Sequence, residues 1–231
     1  MSQLLVSAAS SLTDVLTELG KYFERENRGV TVRFNFGASG ALMAQVRQGA
    51  PVDVFLSASP SEMDALARED KIFPASRRPV AGNRLVLIAP KGGRLAGWDA
   101  LAGPGVRRIA LANPGFVPAG RYGKQALVHR KLWEAVKNKL VYAQTVRQAL
   151  AYVAGGDADA GLVFATDARR ENRVRVVATA IPGKDHTPIV YSVAATSTCR
   201  NDALAGKLIL FLATPLARGI FARYGFTPPT R

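Results

Sequence analysis

The chain has 231 residues, of which 48% are hydrophobic and 21% are charged. This is the composition of a globular protein with one large or two medium domains, and it excludes a disordered, collagenous or low-complexity chain. The single cysteine, Cys199, excludes an internal disulfide framework and any multi-cysteine metal site, and the two histidines argue against a histidine-rich centre. The formal net charge of +14 points to anionic partners, either macromolecules or small ligands.

The distribution of the basic residues argues against nucleic acid as the partner. They lie in ones and twos, as at Arg77-Arg78 and Arg107-Arg108, without a polybasic block or interleaved aromatic residues. No uninterrupted apolar run reaches the roughly 18 residues of a membrane helix, so no span is predicted. The residues from Met1 to Val6 lead directly into a strand without a signal-peptide pattern, as expected for a cytosolic protein or an exported one whose targeting segment has been removed.

Short β-rich runs alternate with helical patterns along the chain. Strands are predicted at Leu4–Ala8, Val30–Phe36, Val52–Ser57, Arg84–Ala89, Arg108–Ala112, Val141–Ala143, Ala160–Ala165, Val174–Ala178 and Ile189–Ala194. Helices are predicted from Leu12 to Phe23, near 40–49, 60–70, 119–138 and 145–154, and at 202–213 and 215–224. This alternation predicts βαβ units and an α/β fold whose parallel sheets are covered by helices on both faces.

Two loops are predicted to be crossings between two lobes. Residues 74–83 are rich in Pro, Arg, Gly and Asn, and the loop at 182–188 precedes another long β run. Lobe I is then predicted as residues 1–80 with 190–231, and lobe II as residues 81–189. Ligands of open α/β sheets bind beyond the carboxyl ends of the strands, so the ligand is expected in the cleft between the lobes, which close on it by a hinge in the two crossings.

The residues that could carry chemistry stand where a strand leads into a helix. Ser11 has the position of an N-cap, with Asp14 three residues later as in a capping box. Ser39 stands where the next apolar helix begins, between glycines that allow a close approach to the backbone. Both junctions lie in the predicted lobe I.

Two further junctions lie in the predicted lobe II. Pro118 suits the first turn of a helix and leaves the amides of Ala119 and Gly120 pointing outward. Thr145 and Gln148 have a second capping-box spacing. Helix N-termini bind anions through unpaired N–H groups and a partial positive charge. Any one junction is typical of ordinary capping, but the four together favour an oxyanion site made of amides and serine hydroxyls.

Longer blocks carry a resemblance to a known family. They are residues 8–13 (AASSLT), 37–42 (GASGAL), 49–58 (GAPVDVFLSA), 82–87 (GNRLVL), 117–122 (VPAGRY), 146–150 (VRQAL), 160–168 (AGLVFATDA) and 223–226 (RYGF). Through these blocks the chain resembles, from residue 3 to residue 227, the periplasmic molybdate-binding proteins of ABC importers. So many blocks in one order are a more specific signal than any single motif.

The resemblance implies a two-lobe α/β fold of the type II periplasmic-binding-protein class, in which each lobe is a mixed, mostly parallel sheet flanked by helices. A protein of this class is expected to capture molybdate or tungstate and to have no catalytic activity. No further cofactor is expected, and molybdenum would be present only as the oxyanion. The implied partner is the membrane permease of an ABC transporter, the implied location is the periplasm, and the protein is expected to be a monomer.

The resemblance also assigns the ligand contacts. The side chains and amides of Ser11 and Ser39, with the backbone amides of Ala119 and Val146, are expected to bind the oxyanion. Ser10 is a secondary expectation.

One position departs from the family pattern. The family typically has a tyrosine where this chain has Phe164, and a phenylalanine ring has no hydroxyl to donate. Tyr122 and Tyr152 are substitutes that the sequence offers, together with water. The departure bears on affinity more than on the class of ligand.

Three other functions stay open on the sequence. A binding protein of this kind could take another oxyanion, such as sulfate. Residues 37–41 (GASGA) are close to the nucleophile elbow of a serine hydrolase, with Ser39 as nucleophile, His186 as base and an acid among Asp157, Asp159 and Asp167, although no second oxyanion-hole motif is visible. The effector-sensing part of a transcription regulator shares the two-lobe architecture, but no recognition helix precedes the first strand.

Four other polar residues are expected to be structural. Asp53 and Asp167 stand at a strand edge and a helix start, where carboxylates typically cap helices or accept from backbone amides. His129 is expected on the surface of a helix, and Cys199 is expected to be a half-buried, unreactive thiol in a loop.

Overall fold

The computed structural model describes residues 2–229. The chain forms two compact units. The first comprises the chain up to Gly82 together with the chain from Val190 onward, and the second is Asn83–Ile189. Each unit is built on one five-stranded sheet with helices packed against it.

The strands are β1 (Ser2–Ala9), β2 (Val30–Gly37), β3 (Val54–Ser57), β4 (Arg78–Asn83), β5 (Leu85–Pro90), β6 (Ile109–Ala112), β7 (Leu140–Ala143), β8 (Ala160–Phe164), β9 (Val174–Thr179) and β10 (Ile189–Ala195). The helices are α1 (Thr13–Glu26), α2 (Ser39–Arg47), α3 (Pro60–Arg68), α4 (Pro118–His129), α5 (Trp133–Val136), α6 (Val146–Ala154), α7 (Ala165–Ala168), α8 (Asp202–Leu212) and α9 (Pro215–Arg223). The predicted strands are confirmed, each to within a residue or two.

The sheet of the first unit has the strand order β2-β1-β3-β10-β4. β1 is parallel to both β2 and β3, while β10 is antiparallel to β3. Because parallel strands point the same way, the carboxyl ends of β1, β2 and β3 meet at one edge of the sheet. The helix α1 buries Val15, Leu16 and Leu19, as their helical spacing predicts. A second apolar cluster around Phe55 and Met63 packs α2 and α3 against the sheet.

The sheet of the second unit has the order β7-β6-β8-β5-β9. β6 is parallel to β7 and β8, whereas β5 is antiparallel to β8 and β9. The carboxyl ends of β7, β6 and β8 therefore share one edge, and they lead into α6, α4 and α7. Both sheets are mixed, and the parallel part of each one carries the strand-to-helix junctions.

Two features of the fold differ from the sequence expectations. The segment expected to be a crossing loop contains β4, whose proline and glycine resemble a turn but are tolerated because β4 is an edge strand. The single helix expected at 119–138 is divided into α4 and α5 at Lys131, which has a φ of 58°. The amides of Lys131 and Leu132 donate to the carbonyls of Val128 and Leu127, closing a C-terminal cap that usually requires glycine.

Within residues 2–229, no single helix is long and apolar enough to cross a membrane. By length and composition alone, α8 and α9 meet that criterion only as a pair, bent by 60° at the break between them.

Candidate functional site

In the first unit, the predicted contact residues lie at the edge where the parallel strands end. Ala9 of β1 pairs with Gly37 of β2, so the segments that follow these two residues start side by side. Ser11 lies in the segment after β1, and Ser39 lies in the segment after β2. The structure thus brings both serines to one end of one sheet.

Ser39 is the first residue of α2, as its position after the strand predicts, and only 1% of it is exposed. Its Oγ accepts a hydrogen bond from the Ala58 amide at 3.2 Å. This bond uses a lone pair of the oxygen and leaves the hydroxyl hydrogen able to donate. As the first residue of the helix, Ser39 also has a backbone N–H without an intrahelical acceptor. Its side chain and its amide are therefore both suited to an anion.

Ser11 is buried, but it is not the N-cap that the sequence predicts. It lies inside a 3₁₀ turn, Ser10–Leu12, and Leu12 is the N-cap of α1, without a side-chain cap bond. The capping-box prediction with Asp14 is therefore wrong, because this extra turn shifts the helix start toward the C-terminus. The Ser11 hydroxyl instead lies 2.9 Å from the hydroxyl of Tyr191 in β10.

Ser10, the secondary expectation, opens the same turn and is half-buried. The Thr13 hydroxyl donates to the Ser10 carbonyl at 2.7 Å and so holds the turn closed. The backbone around Ser11 is therefore fixed by its own local hydrogen bond as well as by the strand that precedes it.

In the second unit, Ala119 is the second residue of α4 and is fully buried. Pro118 occupies the first helical position, as predicted. An N–H at this position would have no intrahelical acceptor, so the N–H that proline lacks is not missed by the helix. The next residue, Gly120, explains how close this helix start comes to the strand before it. A Cβ on Gly120 would lie 1.9 Å from the Ala112 carbonyl oxygen, so only glycine fits. The first turn of α4, which includes Ala119, therefore lies close against the end of β6.

Val146 is the first residue of α6, and its helix start has the predicted cap. The Thr145 Oγ accepts from the Gln148 amide at 3.1 Å, and the Gln148 side chain accepts from the Gln144 amide at 2.6 Å. The second bond goes to the residue before the N-cap, so the reciprocal pair differs from a standard capping box by one residue. The start of α6 is thereby fixed, with the Val146 amide among its unpaired N–H groups.

Phe164 ends β8, at the edge of the sheet that also carries Ala119 and Val146. Its ring is buried, with its centroid 6.4 Å from that of Tyr122. Tyr122 in turn lies edge-on against His186, at 5.6 Å between centroids. Tyr152, the other substitute that the sequence offered, is a half-buried residue of α6.

His186 and two aspartates of the hydrolase alternative interact with neighbouring groups that give them a structural role. The Nδ1 atom of His186 lies 2.7 Å from the Thr187 carbonyl oxygen. Burial lowers the pKa of His186, against the opposing effects of that carbonyl and of the Asp185 carboxylate. The Asp159 carboxylate accepts from the Arg107 and Arg108 amides, and that of Asp167 pairs with Arg147.

Three of the residues that were expected to be structural have surroundings that show their roles. Asp53 accepts from the Leu5 and Arg200 amides, which confirms the expected backbone bonding. The buried Asp167 differs, because its carboxylate forms an ion pair rather than a cap. Cys199 is partly buried, and burial raises the pKa of its thiol to about 11, as expected for an unreactive group. Among residues 2–229, no group of three or more His, Cys, Asp and Glu side chains could hold a metal ion.

Two features of the first-unit edge were missed from the sequence. Tyr191 is buried beside Ser11, although 180 residues separate them in the chain. The segment after β3 supplies the Ala58 amide to Ser39 and Ser59 as the N-cap of α3. The second feature had a local signal, a serine-rich strand-to-helix junction like the others, whereas the first had none.

The chain is similar to known proteins over nearly its whole length. The chain is 38% identical over 226 residues to YvgL of Bacillus subtilis (strain 168), whose name describes a candidate ABC transporter substrate-binding lipoprotein; the match covers 97% of this chain and 86% of that protein. It is 36% identical over 233 residues to the molybdate-binding protein ModA of Escherichia coli (strain K12), with 97% and 89% covered.

Among solved structures, the periplasmic molybdate-binding protein of Azotobacter vinelandii has a TM-score of 0.88 and 30% sequence identity, over 98% of this chain and all of that one. The likeness confirms the expected fold class, with two mixed sheets flanked by helices. The model of the bacterial extracellular solute-binding proteins matches residues 4–227. From the fold, the junctions and this full-length match, the chain belongs to the family of bacterial extracellular solute-binding proteins.

Proposed function

We propose that this chain is the substrate-binding component of an ABC importer and that its ligand is molybdate or tungstate. Relatives at 36% and 30% identity over nearly the whole chain are named as molybdate-binding proteins. The observation that carries the proposal is the placement of the expected donors. Two buried serines stand at the carboxyl edge of one parallel sheet region, and two first-turn amides stand at the carboxyl edge of the other.

The chemistry of these groups suits a fully deprotonated oxyanion. The hydroxyls of Ser11 and Ser39 and the amides of Ala119 and Val146 are proposed to donate to the same anion. A site made of donors excludes hydrogen phosphate, because the proton of that anion would face another donor and stay unpaired. Such a mismatch costs about 1–3 kcal/mol or more in a buried site. Sulfate has the right charge but shorter bonds, so its hydrogen bonds would be stretched.

Charged side chains are not needed in this proposal. Arg147 stands next to Val146, but its guanidinium is already paired with Asp167. The net charge of +14 then acts at a distance, by raising the rate at which anions reach the protein. Phe164 offers no hydroxyl, so the bond that a tyrosine would make there is left to water or to another donor.

Calorimetric titration with molybdate, tungstate, sulfate and phosphate at equal ionic strength tests the proposal. Molybdate and tungstate are expected to bind at least tenfold more tightly than sulfate, and phosphate is expected not to bind. Sulfate binding as tight as molybdate binding would overturn the proposed ligand and favour the sulfate alternative.

The cellular role follows from the family. Its members are extracellular solute-binding proteins, not enzymes. We propose a periplasmic location, a monomeric state and a membrane permease as partner, with no nucleic acid and no cofactor. The hydrolase alternative has little support, since two of its three aspartates already accept other partners. If the unaltered chain hydrolysed a chromogenic acyl ester and Ser39→Ala did not, that result would support the hydrolase function instead.

A further inference from the structure

Tyr191 stands at the same sheet edge as the two serines. It precedes Ser192, which pairs with Ser57, the last residue of β3. Because β10 runs antiparallel to β3, an early residue of β10 lies where the parallel strands end. Because β10 runs in the opposite direction to the parallel strands, it places the Tyr191 side chain near the junction that follows β1.

The surroundings of Tyr191 hold its ring in place. The residue is fully buried, and its ring meets Phe226 edge-on, at 5.4 Å between centroids and 83° between planes. Phe226 meets Phe221 in the same way, at 5.5 Å. With the ring fixed by this aromatic row, the Tyr191 hydroxyl is held 2.9 Å from the Ser11 Oγ.

We propose that Tyr191 is a positioning residue of the oxyanion site: its phenol donates to Ser11, and the Ser11 hydroxyl hydrogen is thereby directed to the anion. The inference rests on the proposed function. A serine hydroxyl has one hydrogen, and that hydrogen serves either Tyr191 or the ligand. An oxyanion without a proton can only accept, so it selects the arrangement in which Tyr191 is the donor. A hydroxyl that accepts a hydrogen bond is also a better donor, because hydrogen bonds in a chain polarise one another.

The test is a double-mutant cycle on molybdate affinity. Tyr191→Phe keeps the ring and removes the hydroxyl, and it is expected to weaken binding about fivefold to tenfold, the fold-change that corresponds to one neutral hydrogen bond. In a Ser11→Ala background, Tyr191→Phe is expected to have no further effect on affinity, because the serine hydroxyl that Tyr191 positions is absent. In a Ser39→Ala background its effect is expected to persist in full.

Tyr224→Phe is the matched control. It removes a tyrosine hydroxyl of the same unit that donates to Glu18 at 2.8 Å instead of contacting Ser11. Its affinity is expected to match that of the unaltered chain. Thermal unfolding of every variant shows whether the fold is kept.

Three results decide the inference. An unchanged affinity in Tyr191→Phe overturns it. An equal loss in the presence and absence of the Ser11 hydroxyl also overturns it, and assigns Tyr191 either a direct ligand contact or a general structural role. If the unaltered chain binds none of the four oxyanions, the proposed function fails and this inference fails with it, a result distinct from the first two.

Discussion

The Nε atom of Arg147 lies 2.5 Å from Oδ1 of Asp167, a carboxylate whose side chain is fully buried. Arg147 is the second residue of α6, and Asp167 belongs to α7, so the ion pair joins two helix starts at one edge of the sheet. A buried carboxylate needs a partner, because removing its charge from water is costly. We infer that this pair holds the start of α6, and with it the Val146 amide.

Asp167→Asn is expected to lower the free energy of unfolding by about 1–3 kcal/mol. The loss is smaller than for a fully enclosed pair, because 32% of the Arg147 side chain is exposed and water solvates part of its charge. Urea unfolding at pH 7 measures the effect. Glu134→Gln breaks the exposed pair between Glu134 and Lys137 and is expected to leave stability unchanged. Equal stability of both variants would contradict the structural role of Asp167.

Gly120→Ala is expected to destabilise the protein by about 3 kcal/mol, because the new methyl group would collide with the Ala112 carbonyl oxygen. The backbone of β6 is the obstacle, and it cannot move aside as a side chain could. We also expect weaker molybdate binding, since α4 must shift and it carries the Ala119 amide.

Gly219→Ala is the matched control for this substitution. Gly219 lies inside α9, and an added Cβ there would meet nothing within 4 Å. Alanine is the better helix former, so this variant is expected to gain about 0.5–1 kcal/mol. Denaturant unfolding of the two variants is therefore expected to give changes of opposite sign. A loss in Gly219→Ala similar to that in Gly120→Ala would contradict the explanation by close approach.

The parts of the site that depend on neighbouring residues in the chain could be predicted from the sequence. Ser39 follows a strand and a glycine and opens an apolar helix, so its place at the start of α2 could be predicted from a few adjacent residues. The cap formed by Thr145 and Gln148 is equally local. Such junctions obey the geometry of strands and helix ends, whatever the rest of the fold does.

The remaining features depend on tertiary structure. The residue types around Ser11 are compatible with an ordinary N-cap as well as with the 3₁₀ turn that is observed, so only the packed structure distinguishes the two conformations. Lys131 adopts a left-handed conformation that is unfavourable for lysine. Because no glycine marks this position, the break between α4 and α5 could not be predicted from the sequence. Tyr191 reaches Ser11 because β10 returns to the first sheet after the whole second unit, a connection that no local pattern encodes.

His186 is expected to make stability depend on pH. Burial lowers its pKa in the folded state below the ordinary value of about 6.5, so the unfolded chain takes up the proton first as the pH falls. Its contribution to stability is therefore complete above pH 6.5 and is lost progressively below that value. The pKa of nearby Asp185 is lowered: burial would raise it, but the Ile181 amide and Arg130 outweigh that effect, so Asp185 stays charged in this range.

Urea unfolding at pH 7.5 and pH 5 tests this expectation. The unaltered protein is expected to lose stability on acidification, and His186→Gln is expected to lose less. An identical loss in the unaltered protein and in His186→Gln would contradict the assignment.

Ser39→Ala is expected to weaken molybdate binding by about one to two powers of ten. A hydrogen bond to a charged acceptor contributes roughly 1.5–3 kcal/mol, and 1.4 kcal/mol corresponds to a factor of ten. The substitution also removes the acceptor of the Ala58 amide, so unfolding must be measured beside calorimetric affinity to separate the two effects. Ser197→Ala changes an exposed serine of the same unit and is expected to alter neither quantity. Full affinity in Ser39→Ala, with binding lost on substitution of an arginine, would show instead that charged side chains hold the anion.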